Sequence, residues 1–166
     1  MLTNFDLEEM CDAYKVPLRG IYMKNQLPDR IQDGNYIINL QSSHQGNGTH
    51  WTGLTVYGNQ TVFYDPFGAV PSMTIRKFVK TRPKAHLGFN NWIIQDLKSE
   101  NCGYYVLSFF IFLQQHGVNA RNIYDVSNAY FNLFEDDTKR NDGRLRSFFR
   151  NIKKQHPLVE RLYSGR

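Results

Sequence analysis

The stretch CGYYVLSFFIFLQQH, residues 102–116, constrains the fold of this chain more than any other. It is apolar on nearly every side of a helical wheel, so a helix here cannot lie on a surface with one face in water. It has to be wrapped by the rest of the protein. Its apolar run, Tyr104 to Leu113, is far too short to cross a bilayer, which takes about 20 residues. With 166 residues the chain has the size of one domain and can bury a core around such a helix. A hydrophobic content of 41%, with 14% of all residues aromatic, excludes disorder as the main state.

Around this helix the patterning alternates between strand and helix. Thr3 and Asp6 are placed as a capping box for a short helix to about Tyr14. VPLRGIYMKNQLPDRIQDG (16–34) carries two prolines and two glycines and is expected to be an irregular connection, followed by a buried strand, YIINL (36–40). A polar, glycine-bearing loop, QSSHQGNGT (41–49), leads into HWTGLTVY and QTVFY, which flank Gly58-Asn59 as a hairpin does. Residues 72–80 predict a short helix that stops before Pro83, and NWIIQD (91–96) a further strand. Two helices are expected at about 120–134 and 142–155. No repeat, low-complexity segment or linker divides the chain. The class is α+β in a single domain, 1–166.

Cys102 opens the buried helix where a polar loop, KSEN, ends. Helix-end amides and a neighbouring imidazolium lower a thiol pKa from ~8.5 to about 3.5–7.5, which makes a nucleophile of it. Gly103 leaves space for a substrate backbone to approach. Taken alone, a cysteine in such a place is most often just a small buried thiol. His50 begins a strand and Asp65 ends the hairpin partner of that strand, so the two fall near one end of the sheet. A carboxylate there can orient the imidazole through one ring nitrogen and leave the other for a thiol. The plain alternatives are a strand-end histidine and a turn-forming aspartate before Pro66. Gln95, seven residues before Cys102, could offer an amide to an oxyanion together with the Cys102 backbone N–H.

In order, His50-Trp51, Asp65-Pro66-Phe67-Gly68, Gln95 and Asn101-Cys102-Gly103 resemble the pattern of adenovirus-type (adenain-like) cysteine endopeptidases. SUMO-deconjugating proteases of the same clan share that order. The segments LRGIYMKNQLP and INLQSSHQGNGTHWTGL are similar to adenain-like proteases of large DNA viruses, virophages and Polinton elements, and the resemblance spans about residues 18–113. It implies a papain-like fold with a central mixed sheet flanked by helices. It also implies Cys102 as nucleophile, His50 as base, Asp65 as orienting acid and Gln95 as oxyanion donor, with Trp51, Asn101 and Gly103 along the substrate cleft. The expected activity is maturation of viral capsid and structural precursors at small-residue, glycine-containing sites, by a monomer in the infected cell and the virion. No cofactor is needed for that chemistry, although an activating peptide or DNA is expected of such enzymes. Two departures stand out. Asp65 replaces the glutamate usual in adenovirus members, and Cys11 does not occupy the position of the cysteine that bonds their activating peptide.

The charge is uneven. From Lys139 onward nine Lys/Arg face two acids, +7, which leaves −2 for residues 1–138. This basic segment, about 139–166, is a solvated helix face or an electrostatic footprint for nucleic acid, with Arg144, Arg146, Arg150, Lys153 and Lys154 as its candidates. Two cysteines without a CxxC pattern point away from a disulfide scaffold and toward a reducing compartment. The N-terminus lacks a signal-peptide pattern, so the expectation is an intracellular protein without a membrane partner. His44, His86, His116 and His156 show no metal-ligand spacing. Two rivals remain: a deconjugase for ubiquitin-like modifiers, and a non-catalytic protein that binds nucleic acid or capsid through the basic segment.

Overall fold

A computed structural model of the protein describes residues 1–41 and 50–164. Most of the polar loop expected at 41–49, with His44, therefore lies outside the described residues. Five strands form one mixed sheet in the order β1-β2-β3-β4-β5: Leu18–Met23, Gly34–Asn39, Trp51–Tyr57, Gln60–Tyr64 and His86–Phe89. The central β2–β3 and β3–β4 pairs are antiparallel and the two outer pairs parallel. Helix α1 (Asn4–Ala13) precedes the sheet and α2 (Met73–Val79) enters between β4 and β5. Helices α3 (Cys102–Gln115), α4 (Ile123–Phe131), α5 (Asn141–Arg150) and α6 (Pro157–Ser164) complete the α+β chain.

Alternation along the strands splits the core in two. Ile37, Trp51, Val62 and Tyr64 face α3 and the helices around it. Tyr36, Ile38, Leu54, Val56 and Phe63 face α2. Both sheet faces are thus covered, and β3 is buried from Trp51 to Val56. Helix α3 is buried at every position from Cys102 to Leu113, as its composition requires. Each of its buried Leu, Val or Phe side chains contributes roughly 1.5–3 kcal/mol relative to exposure. Close seating on the sheet depends on Gly53, because a Cβ there would meet Val106 and Phe110 at 3.0 Å.

The capping box forms: Thr3 N donates to Asp6 and Asp6 N donates to the Thr3 hydroxyl. The hairpin turns at Gly58-Asn59, with Tyr57 opposite Gln60 and a left-handed Gly58. Three expectations are corrected. Residues 18–23 are a strand and not a connection, since pairing with β2 satisfies their backbone. NWIIQD forms no strand; the edge beside β4 is taken by His86–Phe89, and the chain from Asn90 to Asn101 is irregular. The basic region holds α5 and also α6, which packs Val159 and Leu162 into the core.

Candidate active site

The hairpin register sets Gly53 against Tyr64, which brings residues 50 and 65 to the same end of the sheet. His50 Nε2 lies 2.5 Å from Asp65 Oδ1, and both side chains are buried. The DPFG sequence then makes a turn in which Gly68 N donates to Asp65 O. Only glycine suits position 68: its φ is +76°, and a Cβ would stand 2.6 Å from the Trp92 backbone. This turn aims the Phe67 and Ala69 amides back at the Asp65 carboxylate, at 2.9 and 3.3 Å. Asn90, wholly buried, grips the Asp65 backbone from the other side, accepting from its N–H and donating to its carbonyl. The carboxylate is therefore fixed before any imidazole meets it.

The His50 ring is stacked as well as hydrogen-bonded. Phe67 stacks on it with centroids 4.3 Å apart and planes 17° from parallel. Burial pushes the ring toward its neutral form, but the hydrogen bonds and charges of Asp65 and Cys102 outweigh this and raise its pKa from 6.5 to about 9. The ring thus keeps its proton at neutral pH. Its second nitrogen, Nδ1, is buried without a well-formed hydrogen bond and is the one left for a sulfur.

Cys102 is the first residue of α3, at the positive end of that helix. The Trp51 backbone N–H donates to its sulfur at 3.5 Å. So one strand start supplies both the imidazole and an amide to the thiol. The Trp51 indole is buried and donates to Leu2 O, which makes it the floor under the site and not a lining of an open cleft. Gly103 also differs from expectation. A Cβ there would meet Leu2 and Leu7 at 3.1–3.2 Å, so its small size serves packing of the N-terminal segment.

Gln95 is brought in by the irregular segment, whose Ile94 and Gln95 amides both donate to Pro66 O at 2.9 Å. The side chain is wholly buried, with Nε2 donating to Ser99 O at 2.8 Å and Oε1 without a partner. One Nε2 hydrogen remains beyond that bond. Asn101 does not cap α3 with its side chain but reaches Asp142 on α5. Asp142 also accepts from Ser99 and from Tyr105, whose phenol is pushed up by burial and by Asp142 itself and so stays a donor.

Phe67, Asn90 and Asp142 had no signal of their own in the sequence, apart from the adjacency of Phe67 to Asp65. Of the basic candidates, Arg144 bonds to Glu135, Arg146 donates to Leu162 O and Arg150 lies over the Tyr163 ring at 4.9 Å. These three contact the C-terminal helices, Arg144 and Arg150 while staying exposed, and Lys153 and Lys154 are exposed as well. Among the described residues no group of three or more His, Cys, Asp or Glu side chains could hold a metal ion. None of the described helices is long and apolar enough to cross a membrane.

No family model and no curated protein matches the chain. Among solved structures it is similar to the crystal structure of the ASFV pS273R protease, at 14% identity over 81% of this chain and 67% of that one, with a TM-score of 0.48. The selenomethionine form of the same ASFV protease matches at 14% identity over 81% and 68%, with a TM-score of 0.46.

Proposed function

We propose that this protein is a cysteine endopeptidase whose nucleophile is Cys102. One observation carries the reading: a buried imidazole, 2.5 Å from a fixed carboxylate, is coupled to a thiol at a helix start. A buried binding surface has no use for that arrangement. In the reaction, the Cys102 sulfur attacks the scissile carbonyl carbon, and protonated His50 gives its proton to the leaving amine. Acylation removes the charge on sulfur and with it part of what holds the proton on His50. The ring then accepts a proton from water, which hydrolyses the thioester and frees the enzyme. Asp65 holds the ring in place throughout. Gln95 and the Cys102 N–H receive the oxyanion.

The resemblance of the ordered motifs to adenain-like enzymes supports viral precursor proteins as substrates, cut at glycine-containing sites in infected cells and virions. The exposed cations of the basic segment, Arg144, Arg150, Lys153 and Lys154 among them, are open to DNA.

The test is the pH dependence of iodoacetamide labelling, with the modified residue identified by mass spectrometry. Cys102 is expected to label readily near pH 7, about 100-fold or more faster than Cys11, and to lose this advantage in His50→Ala. Equal labelling of the two cysteines would refute the assignment.

A further inference from the structure

The loop that leads into Cys102 is held from outside by one carboxylate. Asp142 Oδ1 accepts from the Ser99 hydroxyl at 3.0 Å and the Tyr105 phenol at 2.7 Å, and Oδ2 accepts from Asn101 Nδ2 at 3.1 Å. These partners stand three residues before, three after and one before the candidate nucleophile. The contacts continue inward. The Ser99 hydroxyl accepts from Asn101 N at 3.2 Å, and the Ser99 carbonyl accepts from Gln95 Nε2 at 2.8 Å. Asp142 is thus linked on one side to the residue whose peptide plane carries the Cys102 N–H, and on the other to the Gln95 amide.

Its own position is firm. It lies in the first turn of α5, where a carboxylate complements the helix dipole. The preceding Asn141, wholly buried, donates to Ile94 O at 2.7 Å and to Glu135 O at 2.8 Å. The start of α5 therefore grips the irregular segment at Ile94 and again at Ser99 and Asn101, on both sides of Gln95.

We propose that Asp142 is the positioning residue for the oxyanion site, setting the Gln95 amide and the Cys102 N–H at a fixed separation without touching substrate. The inference rests on the protease reading. It concerns a part of the site that the His50–Asp65 pair does not control, since among the described residues no hydrogen bond joins that pair directly to Asp142.

The two reactions of a thiol separate these roles. Acylation by N-acetylglycine p-nitrophenyl ester forms an S–C(=O) bond, passes through an oxyanion and expels p-nitrophenolate. Alkylation by iodoacetamide displaces iodide with no oxyanion at all. In the full chain, Asp142→Asn is expected to slow acylation of Cys102 about 100-fold while alkylation stays within about twofold of the parent. Ser99→Ala, which removes one half-buried hydroxyl and keeps the question answerable should Asp142→Asn unfold, is expected to slow acylation roughly tenfold with the same selectivity. Acylation and alkylation falling together in either folded variant would mean a merely structural role and overturn the proposal, as would acylation that does not change. A parent protein whose Cys102 alkylates quickly yet releases no p-nitrophenolate would instead refute the protease reading, and the inference with it.

Discussion

Cys11 and Cys102 lie equally deep, at 0% and 2% exposure, and both sit on helices packed into the same core. Their surroundings differ in every other respect. Cys11 is in the last turn of α1, toward the negative end of the helix dipole. Burial, with Glu8 adding to it, pushes its thiol up to about 12. Cys102 starts α3, receives the Trp51 amide and faces an imidazole that stays protonated through neutral pH. On the protease reading, what separates the two thiols is not burial but a compensating positive charge, which only Cys102 has beside it. The same core that silences Cys11 strengthens the His50–Asp65 interaction by excluding water from it.

Alanine at each cysteine gives the largest contrast. Cys102→Ala is expected to lower peptide cleavage on the order of 10⁶-fold, since nothing else in the site can form the acyl-enzyme. Cys11→Ala should leave cleavage unchanged while costing about 1–2 kcal/mol of stability through the small void it opens. Cleavage assays paired with thermal melts check both halves. A Cys102→Ala protein that still turns over, or a Cys11→Ala protein that does not, would erase the distinction.

Asp65→Asn comes next, because it leaves the sulfur in place and removes only what orients its partner. A loss of about 10⁴-fold in kcat is expected, with KM little altered, as for a triad whose orienting acid is made neutral. The accompanying alkylation experiment sharpens the comparison. Without the carboxylate the His50 ring loses the larger share of the interactions that raise its pKa and keeps only those of Cys102, so labelling of Cys102 near neutrality should move toward the slow rate of Cys11. A variant that labels at the parental rate would detach Asp65 from the site.

That Cys11 and Cys102 would differ was legible in the sequence because the determinants are local. A helix start after KSEN, a strand start at His50 and a hairpin around Gly58-Asn59 follow from chain-neighbour patterns. What was illegible depends on partners far along the chain. Leu18–Met23 contains Arg19 and Gly20 and has poor strand character, yet pairing with β2 makes it a strand. His86–Phe89, and not NWIIQD, takes the edge beside β4. Asn90 acts on Asp65 across 25 residues and Asp142 on Asn101 across 41, and neither carries a local mark. The arginines of the basic segment show the converse. Their composition suggested a binding surface, and what the sequence did not show is that each also contacts the fold, at Glu135, Leu162 and Tyr163.

The smallest effect expected is in stability, and it too divides the two cysteines. His50 is held at a pKa of about 9 in the folded protein against 6.5 when unfolded. A raised folded pKa contributes stability that is complete below the unfolded value and is lost as pH climbs through the folded one, here between about 6.5 and 9. The Tm advantage of the parent over Asp65→Asn should therefore be greatest near pH 6 and shrink toward pH 9.5, by roughly 2–4 °C for each kcal/mol of coupling lost. In the fold Cys11 stays uncharged across that window, its thiol being pushed up to about 12, whereas the unfolded chain ionises it near the ordinary value of 9.0. The Tm difference between the parent and Cys11→Ala should accordingly stay level from pH 6 to about 8 and turn against the parent only above that. A parent-minus-Asp65→Asn difference just as level would mean that the imidazole is neutral in the fold, and the positive charge that separates Cys102 from Cys11 would have to come from the α3 terminus alone.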